Sequence, residues 1–106
     1  MQIQYTEDFK TAYKHLKKKY PSFETDFLRL QRNLLQNPNQ GTPITLGLSK
    51  VRMAITSKGK GKSGGARVIL QVRKEPDRLQ FLFLYDKSEM PNVNDNYLRA
   101  LLKTIE

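Results

Sequence analysis

The spacing of apolar residues changes once along this chain, from helical to alternating, and that change limits the fold more than any other feature. Phe9, Tyr13, Leu16 and Tyr20 stand at i, i+4, i+7 and i+11, and Phe23, Phe27, Leu30 and Leu34 repeat the spacing. Each set lines one face of an amphipathic helix. Lys10, Lys14, Lys17 and Lys18 fall off the first stripe. Thr6 or Asp8 caps the first helix and Pro21 ends it; Ser22 is placed to cap the second, which stops at Asn37-Pro38. So short a turn makes the two helices antiparallel neighbours. Residues 39–48 then read as a loop. Beyond it Val51, Met53 and Ile55 alternate with Lys50, Arg52, Ala54 and Thr56, and Val68, Leu70 and Val72 alternate with Arg67, Ile69, Gln71 and Arg73.

The remaining segments complete the outline. Ile3-Gln4-Tyr5 suffices for an edge strand, and Leu79 to Tyr85 is apolar on both faces, as a strand inside a sheet requires. Glu75-Pro76-Asp77 is a tight turn, residues 86–93 are a loop, and Asn94 caps a last helix whose apolar side carries Tyr97, Leu98, Leu101, Leu102 and Ile105. The order is βααβββα. It predicts an α+β fold in one domain over residues 1–106: an N-terminal strand and helical hairpin on a mainly antiparallel four-stranded sheet, a C-terminal helix, and all helices on one sheet face.

Charge points to the partner. Nineteen Lys and Arg against ten Asp and Glu give +9, and between Asp26 and Glu75 no acidic residue stands among ten basic ones. A one-signed stretch attracts polyanions; an acidic protein would satisfy the same charge. With no cysteine, one histidine (His15, on the first helix) and no acidic cluster, no metal site is predicted. No cofactor is expected either. Gly61-Lys62-Ser63 ends like a phosphate-binding loop, but position 56 is Thr and a strand follows, so a nucleotide loop is rejected. No apolar run suggests a leader or a membrane span, and the chain is read as soluble and cytoplasmic.

Strand parity locates the chemistry. With Val51, Met53, Ile55, Val68, Leu70 and Val72 inward, Lys50, Arg52, Arg67, Gln71 and Arg73 point outward, and the hairpin sets Arg52 and Arg67 on one open face. Lys58, Lys60 and Lys62 overhang it on a glycine-rich loop. Arginine suits bidentate phosphate contact and lysine serves as a mobile charge. The segment Tyr85-Asp86-Lys87-Ser88-Glu89-Met90 adds a phenol, an amine and two carboxylates where the last strand ends; the bland alternative makes Tyr85 a core residue and Asp86 with Lys87 a weak surface pair.

The run Ser57-Lys58-Gly59-Lys60-Gly61-Lys62-Ser63-Gly64-Gly65-Ala66-Arg67, with Gly47 to Arg52 before it and Tyr85 to Met90, Asn92 and Asn94 after it, resembles the HigB branch of the RelE/ParE toxins. The resemblance implies a RelE-like fold and a toxin of a type II toxin–antitoxin system, paired with a small antitoxin, often of helix-turn-helix type. It implies a ribosome-dependent mRNA endonuclease that needs no metal. The RNA's 2′-OH attacks the adjacent phosphorus and leaves a 2′,3′-cyclic phosphate. By that resemblance Arg67 carries transition-state charge, Arg52 shares it, and Lys87 is the basic residue after the last strand. Lys50, Lys58, Lys60, Lys62 and Arg73 hold RNA or ribosome. Glu89 is the first candidate for the proton acceptor, Tyr85 the second, and a lysine kept neutral by burial among like charges a third. Two alternatives stay open: a ParE-like inhibitor of DNA gyrase, against which Arg52, Arg67 and the loop lysines argue, and a non-catalytic basic module that binds nucleic acid or antitoxin. The oligomeric state is left open.

Overall fold

The computed structural model describes residues 1–105. Strand β1 (Gln2–Tyr5) leads to helices α1 (Glu7–Lys19) and α2 (Phe23–Gln36), then strands β2 (Thr42–Pro43), β3 (Ser49–Met53), β4 (Ala66–Lys74) and β5 (Asp77–Asp86), and helix α3 (Asp95–Lys103). The sheet has five strands in the order β1-β5-β4-β3-β2. β1 runs parallel to β5 and every other pair is antiparallel. The fold is α+β, with one strand more than expected. β2 lies in the stretch read as loop. Two residues show no alternation, and Pro43 is tolerated because β2 is an edge strand.

Helix boundaries follow local chemistry. The Thr6 hydroxyl accepts the Phe9 amide at 3.0 Å, and the Asn94 side chain accepts that of Asn96 at 2.7 Å. Ser22 does not cap α2. Its hydroxyl donates to Asp26 (2.8 Å) and accepts the Ser57 amide (2.9 Å), tying α2 to the turn after β3 instead.

Helices cover both sheet faces, which corrects the one-face expectation. Phe9, Leu16, Phe23, Phe27, Leu30 and Leu34 from the helical hairpin pack on Val51, Met53, Val68, Leu70, Leu79, Phe81 and Leu84. On the other face Leu98, Leu101 and Leu102 of α3 cover Leu48, Ile69, Leu82 and Tyr85. A register shift between Ile69 and Leu70 opposes them to Phe83 and Phe81, so Leu82 is the extra residue of a bulge and packs in the α3 cluster. Each such buried Leu or Phe contributes roughly 1.5–3 kcal/mol. Among the described residues no helix is long and apolar enough to cross a membrane.

Where β4 begins, a Cβ on Gly65 would stand 2.1 Å from the Met53 carbonyl oxygen, whereas one on Gly64 would meet only the Lys60 side chain. Gly65→Ala is therefore expected to cost about 1–3 kcal/mol or more, by parting β3 from β4. Gly64→Ala should cost less, because its nearest neighbour, the Lys60 Cβ at 2.7 Å, belongs to an exposed loop whose backbone can shift rather than to the β3–β4 pairing. Urea midpoints of the two variants test the pair, and equal midpoints would refute the close approach.

Candidate functional site

Three strands bring one row of side chains together. Arg52 of β3 faces Arg67 of β4, which faces Tyr85 of β5, all in register. Cross-strand partners share a face, so the row lies on the α3 side, at the sheet end that carries the glycine-rich loop. Arg52 is exposed. Arg67 is not: it is 5% exposed, where parity alone had it on an open surface. Parity fixed its face correctly, but α3 and the loop close over that face.

Arg67 sits in an unusual electrostatic setting. Its Nη1 donates to the Lys62 and Ala66 carbonyls at 2.9 and 3.1 Å, which holds the guanidinium against the loop. No carboxylate pairs with it among the described residues. Burial, and after it the like charge of Arg52, pull its pKa below the ordinary arginine value. A buried arginine without a counter-charge is rare. Nε and Nη2 are left for an oxyanion from outside. Tyr85 is also buried. Burial raises its pKa and Arg67 partly offsets the rise, so at neutral pH it is a phenol.

The loop lysines divide. Lys60 and Lys62 are exposed. Lys58 turns inward: its Nζ donates to Asp86 Oδ1 at 2.9 Å and to Ser88 at 3.1 Å, and lies 5.3 Å from the Tyr20 ring centre. It is not a free cation, and Asp86 is not a surface residue paired with Lys87. Asp86 is 1% exposed and also accepts the Tyr20 hydroxyl.

Lys87 and Glu89 part company. The Lys87 amide donates to the Gly65 carbonyl at 3.1 Å, continuing the β4–β5 ladder by one step. Lys87 is exposed in the turn that follows β5, and alternation carried one residue past the strand would set it on the face of the arginine row. Glu89 lies instead against α1, with its Oε2 3.1 Å from His15 Nε2 and 3.3 Å from Lys19 Nζ. Burial would raise its pKa, but hydrogen bonds from His15 and Lys19 outweigh that and leave it lowered. Lys50, half-buried, stands two residues from Arg52 on the same face. Arg73 pairs with Arg78 at the far end of β4, about 20 Å from Arg67 at a strand's rise per residue, and does not join the cluster.

Arg29 and Asp95, near the row, were given no role from the sequence, and Asn92 only a place in the resemblance. Arg29 of α2 lines a cleft of about 180 Å³ with Arg52 and Lys62. The sequence counted it only among the ten basic residues of the acid-free stretch, and its Nη1 lies 3.8 Å from Asp26 Oδ1. Asn92 and Asp95 line a second cavity, with Tyr85 and Lys50. Among the described residues no group of three or more His, Cys, Asp or Glu is placed to hold a metal ion. The arrangement gathers two guanidiniums fixed by strands and ammonium groups on a loop, cations of the kind a polyanion can meet.

Residues 35–105, about two-thirds of the chain, match a family model described as the RelE toxin of the RelE / RelB toxin-antitoxin system. The match takes in the whole arginine row, the glycine-rich loop and α3.

Proposed function

Because this chain belongs to the RelE toxin family, we propose that it is the toxin of a type II toxin–antitoxin pair and cuts mRNA on the ribosome, in the cytoplasm, until a cognate antitoxin protein binds it. The observation that carries the nuclease reading is Arg67, buried, in register with Arg52 and lacking a carboxylate. Such a charge is costly to the fold and is neutralised when a phosphodiester enters.

The chemistry follows from the row. The phosphodiester lies on the free Nε and Nη2 of Arg67 and on Arg52. The RNA's 2′-oxygen attacks phosphorus, the bond to the 5′-oxygen breaks, and a 2′,3′-cyclic phosphate and a 5′-OH result. Charge that builds on the five-coordinate phosphorus is met by two guanidiniums already in place. Tyr85, a phenol at neutral pH, donates to a non-bridging oxygen, and Lys87 protonates the leaving 5′-oxygen. Glu89, held by His15 and Lys19 with a lowered pKa, is a weak base. In this reading it positions the loop bearing Lys87, and the 2′-OH proton passes to water. Lys60, Lys62 and Lys50 hold the strand, and Arg73 meets only a polyanion long enough to span β4.

The test is purified protein in a bacterial cell-free translation reaction, with mRNA 5′ ends mapped by primer extension beside a tube lacking ribosomes. New ends at A-site codons only where ribosomes are present are expected. No ends in either tube would overturn the nuclease reading, and a supercoiling assay would then examine gyrase. In the same system Lys60→Ala with Lys62→Ala should lower the slope of log affinity against log salt by about 1.4, for two contacts to single-stranded RNA. Lys58 stays unaltered there, because its partner is Asp86.

A further inference from the structure

On the α2 side of Arg52 lies a cleft of about 180 Å³, lined by Arg29, Asn33 and Asp26 of α2, Arg52 of β3 and Lys62 of the glycine-rich loop among others. β2 pairs only with Ser49 and Lys50, so beyond Lys50 the outer edge of β3 is open. The exposed Arg52 stands at that edge and borders both the arginine row and this cleft. Three cations therefore meet here against one carboxylate, and that carboxylate is spent within the fold. Asp26 is 5% exposed. Its Oδ2 accepts the Ser22 hydroxyl and the Thr56 amide, both at 2.8 Å, and its Oδ1 accepts the Thr56 hydroxyl at 2.6 Å. Arg29 Nη1 stands 3.8 Å from Oδ1, beyond hydrogen-bond reach, so Asp26 draws the guanidinium into the cleft without occupying its donors. Arg52 and Lys62 have no carboxylate within ion-pair distance among the described residues.

Donors from three elements, around a carboxylate already saturated by its own fold, suit an oxyanion. We propose that Arg29, together with Lys62, holds the RNA phosphodiester next along the strand from the one on Arg67 and Arg52. The inference rests on the nuclease reading for the identity of the strand, but not for its test. RNA carries one charge at every linkage, and Arg52, shared by row and cleft, sets two anion positions side by side. The strand then leaves the row over the open edge of β3 toward α2, on the side away from α3. The linkage in the cleft does not react, so its contacts are equally strong before and during bond breaking. Arg29 accordingly contributes to binding and leaves the rate of the chemical step alone.

Trinucleotides of 2′-O-methyluridine test the site without cleavage, since the attacking hydroxyl is blocked. One carries two phosphodiesters, and in two others one linkage or the other is an uncharged methylphosphonate, so the bases are the same and only linkage charge differs. Wild type is expected to bind the doubly charged strand about three- to fivefold more tightly than either singly charged one. Arg29→Gln should at least halve that ratio and leave affinity for the singly charged strands unchanged, because their one charge sits on the row. Adding Lys62→Ala should bring the ratio close to one. For the doubly charged strand Arg29→Gln should also lower the slope of log affinity against log salt by about 0.7. On ribosomes the same variant should raise KM and keep kcat. An unchanged ratio in Arg29→Gln overturns the proposal. Weaker association of that variant with mRNA-free ribosomes, with the ratio unchanged, overturns it too and gives the cleft to ribosomal RNA. The expected ratios without ribosome-dependent cleavage sink the nuclease reading and leave the site, whereas cleavage with an unchanged ratio sinks the site alone.

Discussion

Arg67→Met is expected to abolish cleavage while making the protein more stable. On the activity side, removing one preorganised donor to a developing oxyanion lowers kcat by about 10²–10³-fold. Met keeps much of the length and none of the charge. Arg67→Lys keeps the charge but not the planar fork, and should still lose at least about tenfold. On the stability side, the wild-type guanidinium is buried beside Arg52 with two carbonyl partners and no carboxylate. Replacing an uncompensated buried charge by an apolar chain of similar size is often stabilising, by about 1–4 kcal/mol. The Lys62 carbonyl lies on an exposed loop that water can reach, but the Ala66 carbonyl belongs to the buried start of β4 and is left without that donor, so the net gain at the urea midpoint is expected to stay at about 1 kcal/mol. Primer extension and urea unfolding on one preparation check both halves. A variant that cleaves normally would remove Arg67 from the site. A variant destabilised by 2 kcal/mol or more would make the arginine a structural element, and the argument from an unneutralised charge would fail with it.

The two periods in the sequence carried most of the fold. Helical stripes at Phe9 to Tyr20 and Phe23 to Leu34, and alternation through Val51 to Met53 and Val68 to Leu70, became α1, α2, β3 and β4 with the expected residues inward. Periodicity says which residues share a face, not what lies on it. The apolar second face of β5 required a cover, yet nothing local said that α3 would supply it. Arg67 was accordingly placed on the right face at the wrong depth. β2 was illegible because it exists only through its pairing with Lys50 and Ser49.

The same limit separates the site residues. Arg52 and Arg67 come together through local hairpin register, which strand parity captures. Lys58, Lys60 and Lys62 are alike in the sequence, and what distinguishes Lys58 is a carboxylate 28 residues away and the Tyr20 ring just past α1. Glu89 was a plausible base as an isolated carboxylate. Its ties to His15 and Lys19 cross seventy positions or more, and no local pattern signals them.

Asp86→Asn is expected to give the largest loss of stability of any change near the site. The wild-type carboxylate accepts Lys58 at 2.9 Å, the Ser88 amide at 2.9 Å, the Ser88 hydroxyl at 2.7 Å and the Tyr20 hydroxyl. Burial alone would raise its pKa, but the bonds from Lys58, Tyr20 and Ser88 together win and hold it well below the usual carboxylate range. The Lys58 side chain is 10% exposed, so the Asn variant strands a buried ammonium, a loss of about 3–5 kcal/mol at pH 7. The pH dependence has a definite sign. A carboxyl whose folded pKa lies below its unfolded value, about 3.9, stabilises the fold fully above that value. The contribution is lost as pH falls below about 4 toward the folded pKa. The stability gap between wild type and Asp86→Asn should thus be constant from pH 5 to 7 and narrow on acidification below about 4. Adding Lys58→Met to Asp86→Asn removes the stranded charge and should restore at least half of the loss. Chemical denaturation across that pH range reads all three proteins. A gap under 1 kcal/mol at pH 7, or one that widens in acid, would mean that the pair contributes no more than a surface ion pair. Because Lys58 opens the glycine-rich loop and Asp86 ends β5, the pair clamps the segment carrying Lys60 and Lys62 to the segment carrying Lys87. The restored double variant should therefore fold well and still cleave more slowly than wild type, because an apolar contact does not fix those cations relative to Arg52 and Arg67 as a hydrogen-bonded pair does.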